Sequence, residues 1–473
     1  MSGGMGEKRP DNACGERRHP EPVTKPTAES VSNLEELGQQ LLRGGVGSMV
    51  VKVAATTIAF FLAVVLARAL GPEGYGAYAF VLSIIMLLAI PAQVGLPQLV
   101  VRETAKAHAN KHWGLMRGLW RWGNRFVALF SALMVGIGIL VLWIGGAWLE
   151  DTRWETLAVG LALVPLIALG NVRGAALRGL RRVVVGQLPE QILRPGLSRV
   201  MVLALIWWWP SADLNPPLLM GLHGGAALIA FATGAALLWC IRPAPLFTSP
   251  PPDYQASFWR QAAMPLALLG GLQIINAHMG IIMLGLLSGD EEVGIYRVAV
   301  QVATLVVFGL QAVNQVLQPY FVRLHAQGDL KRLQQLVTSS ARIILLLAFP
   351  PVLVMVVAGA PLLGLLFGEE YRPGALTLAI IGVAQLINAG MGSVGVLLNM
   401  TGHERDTLRG VAVAAIANVM LNLVLIPLYG MEGAATAMAL TLVVWNLLLW
   451  RAVRRRLGIN SSAIQIRSAA INS

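Results

Sequence analysis

Charge is scarce in this sequence: 13% of its 473 residues are Asp, Glu, Lys or Arg, against roughly 25% in soluble domains. So few charges cannot solvate a surface of this length, which excludes an ordinary soluble globule. Cysteine is nearly absent, with Cys14 in a polar stretch and Cys240 at the end of an apolar run. A disulfide framework is therefore excluded, and without CxxC or a Cys/His cluster no metal site is expected. Acidic residues number 24 against 36 basic ones, and none is expected in the middle of an apolar run. HExxH, GxSxG, Walker and Asp-x-Asp motifs are all missing, so neither enzymatic chemistry nor a cofactor is expected. A cleaved signal peptide is also not expected, because the first apolar run starts too late and is too long for an h-region. It reads instead as an uncleaved signal anchor.

What the sequence does have is apolar length, at 56% hydrophobic residues. Apolar stretches occupy 45–68, 77–98, 126–149, 157–178, 196–212, 218–241, 264–287, 294–318, 341–364, 374–399, 407–428 and 431–453. Most reach the ~20 residues that a helix needs to cross a hydrocarbon core. The fifth ends in Trp207, Trp208 and Trp209 before Pro210, which suits an interfacial belt. The expected fold class is an all-α polytopic membrane protein of about twelve transmembrane helices. Residues 1–44 are polar and rich in Pro, Glu and Arg, a composition that reads as a disordered tail.

The net charge of +12 is a topology signal. With the N-terminus inside, the tail, 99–125, 179–195, 242–263, 319–340, 400–406 and the C-terminal segment face the cytoplasm. Counting flanking turns, they hold about 30 of the 36 basic residues, a positive-inside bias that puts both termini in the cytoplasm. The opposite connections, such as Gly71–Gly76 and Ser288–Val293, are short and neutral or acidic. Nucleic acid is therefore not an expected partner.

The chain repeats at an offset near 218 residues. Tyr75-Gly76-Ala77-Tyr78 opens the second stretch and Val293-Gly294-Ile295-Tyr296 the eighth; Val101-Arg102 closes one and Val322-Arg323 the other. An even number of helices per half makes this a parallel repeat, with a pseudo-twofold along the membrane normal. The expected organisation is the 1–44 tail, a six-helix bundle over 45–241, and a linker over 242–263 interrupted by Pro250-Pro251-Pro252. A second six-helix bundle over 264–455 and a tail over 456–473 follow, with a central cavity between the bundles. Gly71, Gly74 and Gly76 around Pro72 permit a tight reversal between antiparallel helices.

The segment Ala67-Arg68-Ala69-Leu70-Gly71-Pro72-Glu73-Gly74-Tyr75-Gly76-Ala77-Tyr78, then Gly95-Leu96-Pro97-Gln98 and Val101-Arg102-Glu103, resembles the polysaccharide-repeat flippases of the multidrug/oligosaccharidyl-lipid/polysaccharide exporter superfamily. Leu177-Arg178-Gly179-Leu180-Arg181-Arg182, Gln187-Leu188-Pro189-Glu190 and Leu193-Arg194-Pro195 extend the likeness, which covers about 45 to 455. The resemblance implies a V-shaped pair of bundles that moves an isoprenoid-pyrophosphate-linked oligosaccharide, with undecaprenyl as the carrier, across a bacterial inner membrane by alternating access. It also implies polysaccharide polymerase and glycosyltransferases as partners, besides membrane lipids.

Ionisable residues inside spans are functional candidates. Lys52 and Arg173 lie toward the cytoplasmic side, and Arg68 and Arg297 at the opposite ends of their helices. A cavity lined by such cations would suit a diphosphate headgroup, since Arg grips phosphate oxygens bidentately and Lys acts as a point charge. The competing reading for Lys52 and Arg173 is snorkelling to the interface. Arg102, Arg178 and Arg182 are candidates for a cytoplasmic entrance that recruits the anionic lipid, or else simple anchors. Asn171, Gln273, Asn276, Gln311, Asn314 and Gln315 are candidates to face the glycan. Gln311, Asn314, Gln315 and Gln318 share one helix face by spacing. Asn418 and Asn422 share another, and interhelical hydrogen bonding is the alternative for all of these amides. His223 and His278 are expected to pack rather than relay protons. A cation-coupled multidrug exporter is the alternative function; a membrane glycosyltransferase or polymerase is disfavoured because the outer connections are too short for a catalytic domain.

Overall fold

The computed structural model describes residues 28–145, 151–209, 213–248 and 251–463. The tail up to residue 27 with Cys14, Glu150, Pro210, Pro250 and the last part of the expected C-terminal tail lie outside the described residues. The chain divides into two compact units, Met1–Gly45 and Val46–Ser473. Within the first, the described part is helical from Ala28; the second holds everything that follows.

Among the described residues all regular structure is helical. In chain order the helices are α1 (Ala28–Gln93), α2 (Leu96–Ala109), α3 (Trp113–Gly145), α4 (Asp151–Gly160), α5 (Leu163–Gly179), α6 (Val183–Leu188), α7 (Arg194–Trp208) and α8 (Pro216–Ile241). There follow α9 (Pro245–Thr248), α10 (Ala256–Leu287), α11 (Asp290–Ala326), α12 (Leu330–Val357), α13 (Gly359–Phe367), α14 (Ala375–Met391), α15 (Val394–Met400) and α16 (Glu404–Leu457). Nine helical stretches among the described residues are long and apolar enough to cross a membrane. Two of them are too long to do so once. A straight run over the 45 residues Met49–Gln93 would extend about 67 Å at 1.5 Å per residue, over twice a hydrocarbon core. Gly71 interrupts it with φ 67° and ψ 178°, a conformation that only a residue without Cβ adopts freely. Pro72 then fits the first turn of the next segment, where no N–H is needed. Gly430 (φ 53°, ψ −129°) does the same within α16.

The fifth apolar stretch begins earlier than the sequence indicated. A helical run starts at Val183, continues through a π-helical turn at Pro189–Leu193 and ends at Trp208. Pro189 and Pro195, which read as loop residues, sit at or within the first turns of their segments, where proline costs least. This run carries Glu190 into the protein, where it lies against Gly170 and Arg194 and is 12% exposed. Other expected connections are helical too: α2, α3 from Trp113, and α12 from Leu330 all lie partly within them.

Helices α2 to α8 pack chiefly with one another, with α5 between α2, α3 and α8, whereas α10 packs on α16 and α14 on α12 and α16. Small residues permit the closest approaches: a Cβ on Gly174 would lie 2.5 Å from the carbonyl oxygen of Gly186, so α5 and α6 touch backbone to backbone. In the expected linker, α10 starts at Ala256 and buries Trp259 completely against Trp122, ring centroids 5.3 Å apart. Large apolar side chains stay exposed around the outside, among them Leu129, Trp143, Leu346, Val357 and Leu428. Water would not tolerate such a surface, and lipid does. The chain is a multi-pass membrane protein.

Candidate functional site

A polar cavity of about 380 Å³ opens between the two halves toward the end that bears the basic connections, called the basic end below. Lys52 of α1, Gln187 of α6 and Gln191 of the π turn line it from one half. Gln311, Asn314, Gln315 and Gln318 of α11 and Val396 of α15 line it from the other. The α11 residues fall at i, i+3, i+4 and i+7, which places them on one face. Six amides thus surround one ammonium. An amide side chain carries both donors and an acceptor, and an ammonium carries three donors. None of these lining residues is acidic, and Lys52 is exposed in this chamber.

The opposite end is shut. Gly76 and Gly294, related by the 218-residue repeat, meet there. A Cβ on Gly76 would overlap the Asp290 carbonyl oxygen, and one on Gly294 would overlap that of Pro72. Because Pro72 and Asp290 are also repeat equivalents, each half presses its glycine onto the same position of the other. Three latches flank this seam. Arg68 donates from Nε to the Leu366 carbonyl at 2.9 Å and from Nη2 to that of Leu365. Tyr371 donates to the Ala67 carbonyl at 3.0 Å. Arg153 donates to Asp290 Oδ2 at 2.9 Å and to the Gly285 carbonyl at 2.8 Å, bridging first half to second.

The other candidates are scattered. Arg173 stays inside the first half, its guanidinium 3.7 Å over the Phe231 ring in a crevice that also holds Glu190. Arg297 lies near the seam, within electrostatic reach of Tyr75, Tyr78, Tyr296 and His278. Asn171 donates to Gln93 Oε1 at 3.0 Å, a contact between helices. Asn276 shares a small internal pocket of the second half with Asn418 and Asn422, and Gln273 is exposed. At the basic end Arg102 pairs with Glu103 at 2.9 Å, Arg178 packs over Gly186, and Arg182 is exposed ahead of α6. His223 accepts or donates a 2.7 Å bond with Tyr78, and His278 a 3.1 Å bond with Ser83.

Sequence reasoning found Lys52 and the α11 amides but missed Gln187 and Gln191. Their i, i+4 spacing was the available signal, masked by the prolines that made the segment look like a loop. Arg153 was missed because it sits in a short connection that read as solvated.

Comparison with known proteins bears on this arrangement. Residues 41–325 match the family model described as polysaccharide biosynthesis protein. Over 166 residues the chain is 23% identical to a probable low-salt glycan biosynthesis flippase of Haloferax volcanii, covering 35% of this chain and 35% of that protein. The match therefore spans about a third of that relative's length. Among solved structures the fold is similar to an inward-facing multidrug resistance MATE family transporter of the MOP superfamily, with TM-score 0.69 and 12% identity over 87% of this chain and 98% of that one. It is similar also to the lipid II flippase MurJ in an inward closed conformation, with TM-score 0.67 and 10% identity over 86% and 87% of the two chains. With the family match running from α1 through the amide face of α11, this chain belongs to the polysaccharide biosynthesis protein family.

Proposed function

We propose that this chain flips an isoprenoid-diphosphate-linked oligosaccharide across the cytoplasmic membrane for surface polysaccharide assembly, by alternating access. The observation that carries the reading is the chamber itself: Lys52 among six amides with no acid among the described lining residues, and Gly76 and Gly294 pressed together at the far end. A diphosphate is the charge complement of the Lys52 ammonium, and sugar hydroxyls match the donor and acceptor chemistry of the amides. The cavity falls within the size range of small-ligand sites, roughly 300–1,000 Å³, so it holds the headgroup and the nearest sugars while the prenyl chain stays in lipid. The Haloferax relative and MurJ, named as a glycan biosynthesis flippase and a lipid II flippase, point the same way.

In this reading the twelve helical runs each cross the membrane, in two six-helix bundles, and the basic end with both termini faces the cytoplasm. Arg102, Arg178 and Arg182 draw the anionic lipid to the chamber mouth. Parting of the Gly76–Gly294 seam frees Arg68 from its two carbonyls and uncovers Arg297, so the diphosphate meets cations on the way out. Arg173 and Glu190 remain inside the first half. An exporter of cationic drugs would need an acid where this chamber has Lys52.

The test is complementation in a strain that depends on this gene for surface glycan. Lys52→Gln should abolish surface glycan and accumulate the lipid-linked oligosaccharide at normal protein level, whereas Lys52→Arg should retain export. Full export with Lys52→Gln would refute the assignment.

A further inference from the structure

The described residues after α16, Gly458–Ala463, pack back onto the protein. Gly458 adopts φ 68° and ends the helix, and Ile459, Ser461 and Ala463 are buried in alternation as in an extended strap. Asn460 is its anchor. Its N–H donates to Gln334 Oε1 at 2.6 Å, and Gln334 Nε2 returns a bond to the Asn460 carbonyl at 2.5 Å. The Asn460 Oδ1 accepts from Trp450 Nε1 at 2.9 Å, from Ser462 N at 3.2 Å and from Ser462 Oγ at 2.9 Å. Side-chain oxygen alone is used, with three donors converging on it.

The strap ends on the broken helix α14–α15. Ala463 N–H donates to the Gly390 carbonyl at 2.8 Å. A Cβ on Gly392 would lie 2.6 Å from the Ser461 carbonyl oxygen. Gly392 is where the helix breaks, at φ 73°, so the strap packs on the break itself. The next residue, Ser393, is buried and donates its hydroxyl proton to Asn314 Oδ1. Asn314 lines the chamber beside Lys52.

We infer that the strap Gly458–Ala463 braces the broken helix so that Ser393 fixes the amide of Asn314, making Ser393 and Asn460 positioning residues for the chamber. The chemistry is directional. With its oxygen held by Ser393, Asn314 keeps its NH₂ as the group available to donate to phosphate or sugar oxygens. Without Ser393 the amide is free to flip and turn an acceptor toward an anion, a repulsive contact. A charge-assisted bond to the anion from a fixed donor is worth about a tenfold change in affinity. The inference rests on the chamber being the headgroup site.

The experiment measures binding of farnesyl diphosphate to the full chain in lipid nanodiscs, with inorganic diphosphate as competitor. Ser393→Ala, which deletes one oxygen and little volume, should weaken binding about tenfold, and Ser393→Thr should restore it. Asn460→Ala should weaken binding similarly, whereas Asn460→Asp, which keeps the accepting oxygen, should not. The Ser393→Ala/Asn460→Ala double variant should be no weaker than either single one, because both act through Asn314. Unchanged affinity in Ser393→Ala, with loss in Lys52→Gln, overturns the brace and leaves the chamber standing. Additive losses in the double variant also overturn it. Unchanged affinity in Lys52→Gln overturns the chamber reading, and the brace with it.

Discussion

Substituting Gly294 by Ala puts a methyl group where the closed end has no room. The added Cβ would overlap the Pro72 carbonyl oxygen, sit 2.8 Å from its carbon and 3.2 Å from Gly76 N. Carbon–carbon contacts settle near 3.5–4.0 Å, so α1 and α11 must part by about 1 Å. Both obstacles are backbone atoms, and no rotamer can relieve the overlap. Overpacking of this kind costs about 1–3 kcal/mol, at the upper end where nothing gives. The penalty falls only on the state in which the seam is shut, and about 3 kcal/mol moves a two-state equilibrium on the order of a hundredfold. Pulsed electron paramagnetic resonance reads this between spin labels at Glu73 and Glu291, both exposed at the closed end, after Cys14 and Cys240 are replaced. Gly294→Ala should shift the distance distribution to longer values, and Gly76→Ala, its repeat equivalent, should do the same. Gly136→Ala, where nothing lies within 4 Å, should not. A Gly294→Ala distribution identical to the parent would refute the seam.

Two further outcomes follow from named contacts. Arg153→Ala strands Asp290, whose side chain is 6% exposed, and removal of one partner from such a buried pair costs about 3–5 kcal/mol. The same resonance measurement should show the closed end opening, and an unaltered distribution with Arg153→Ala would deny the pair any gating role. Trp259→Ala empties a fully buried site against Trp122 and should cost about 3–5 kcal/mol. A lowered melting temperature with farnesyl diphosphate affinity retained is expected. An unchanged melting temperature would mean that this anchor does not hold the linker.

How much of this was legible beforehand depends on the kind of signal. Apolar length and the basic connections announced the helices, because both reflect the solvent and not the packing. The repeat pointed to Gly76 and Gly294, but that they touch each other is a tertiary fact; sequence supported only a tight turn. The α11 amides were legible because 3.6-residue periodicity is local. Gln187 and Gln191 were not, since Pro189 and Pro195 signal a break, whereas Pro189 opens a π turn that packs against α5 and α8 and Pro195 lies in the first turn of α7. Glu190 was misplaced for the same reason. Cations were the least legible. Lys52, Arg173, Arg68 and Arg297 look alike in sequence, yet one faces the chamber, one stacks on Phe231, one latches the seam and one sits near Tyr75.

The central claim is that Lys52 and its amides form the path of an anionic lipid-linked glycan. Its most direct test is reconstitution of the purified chain in liposomes carrying a fluorescent isoprenyl-diphosphate oligosaccharide in both leaflets, with dithionite quenching of the outer leaflet. The account predicts that the parent protein exposes the inner-leaflet pool to quenching, that Lys52→Gln slows this at least tenfold, and that Lys52→Arg does not. Equal rates for parent and Lys52→Gln, or uptake of an organic cation in place of the glycan lipid, would contradict it.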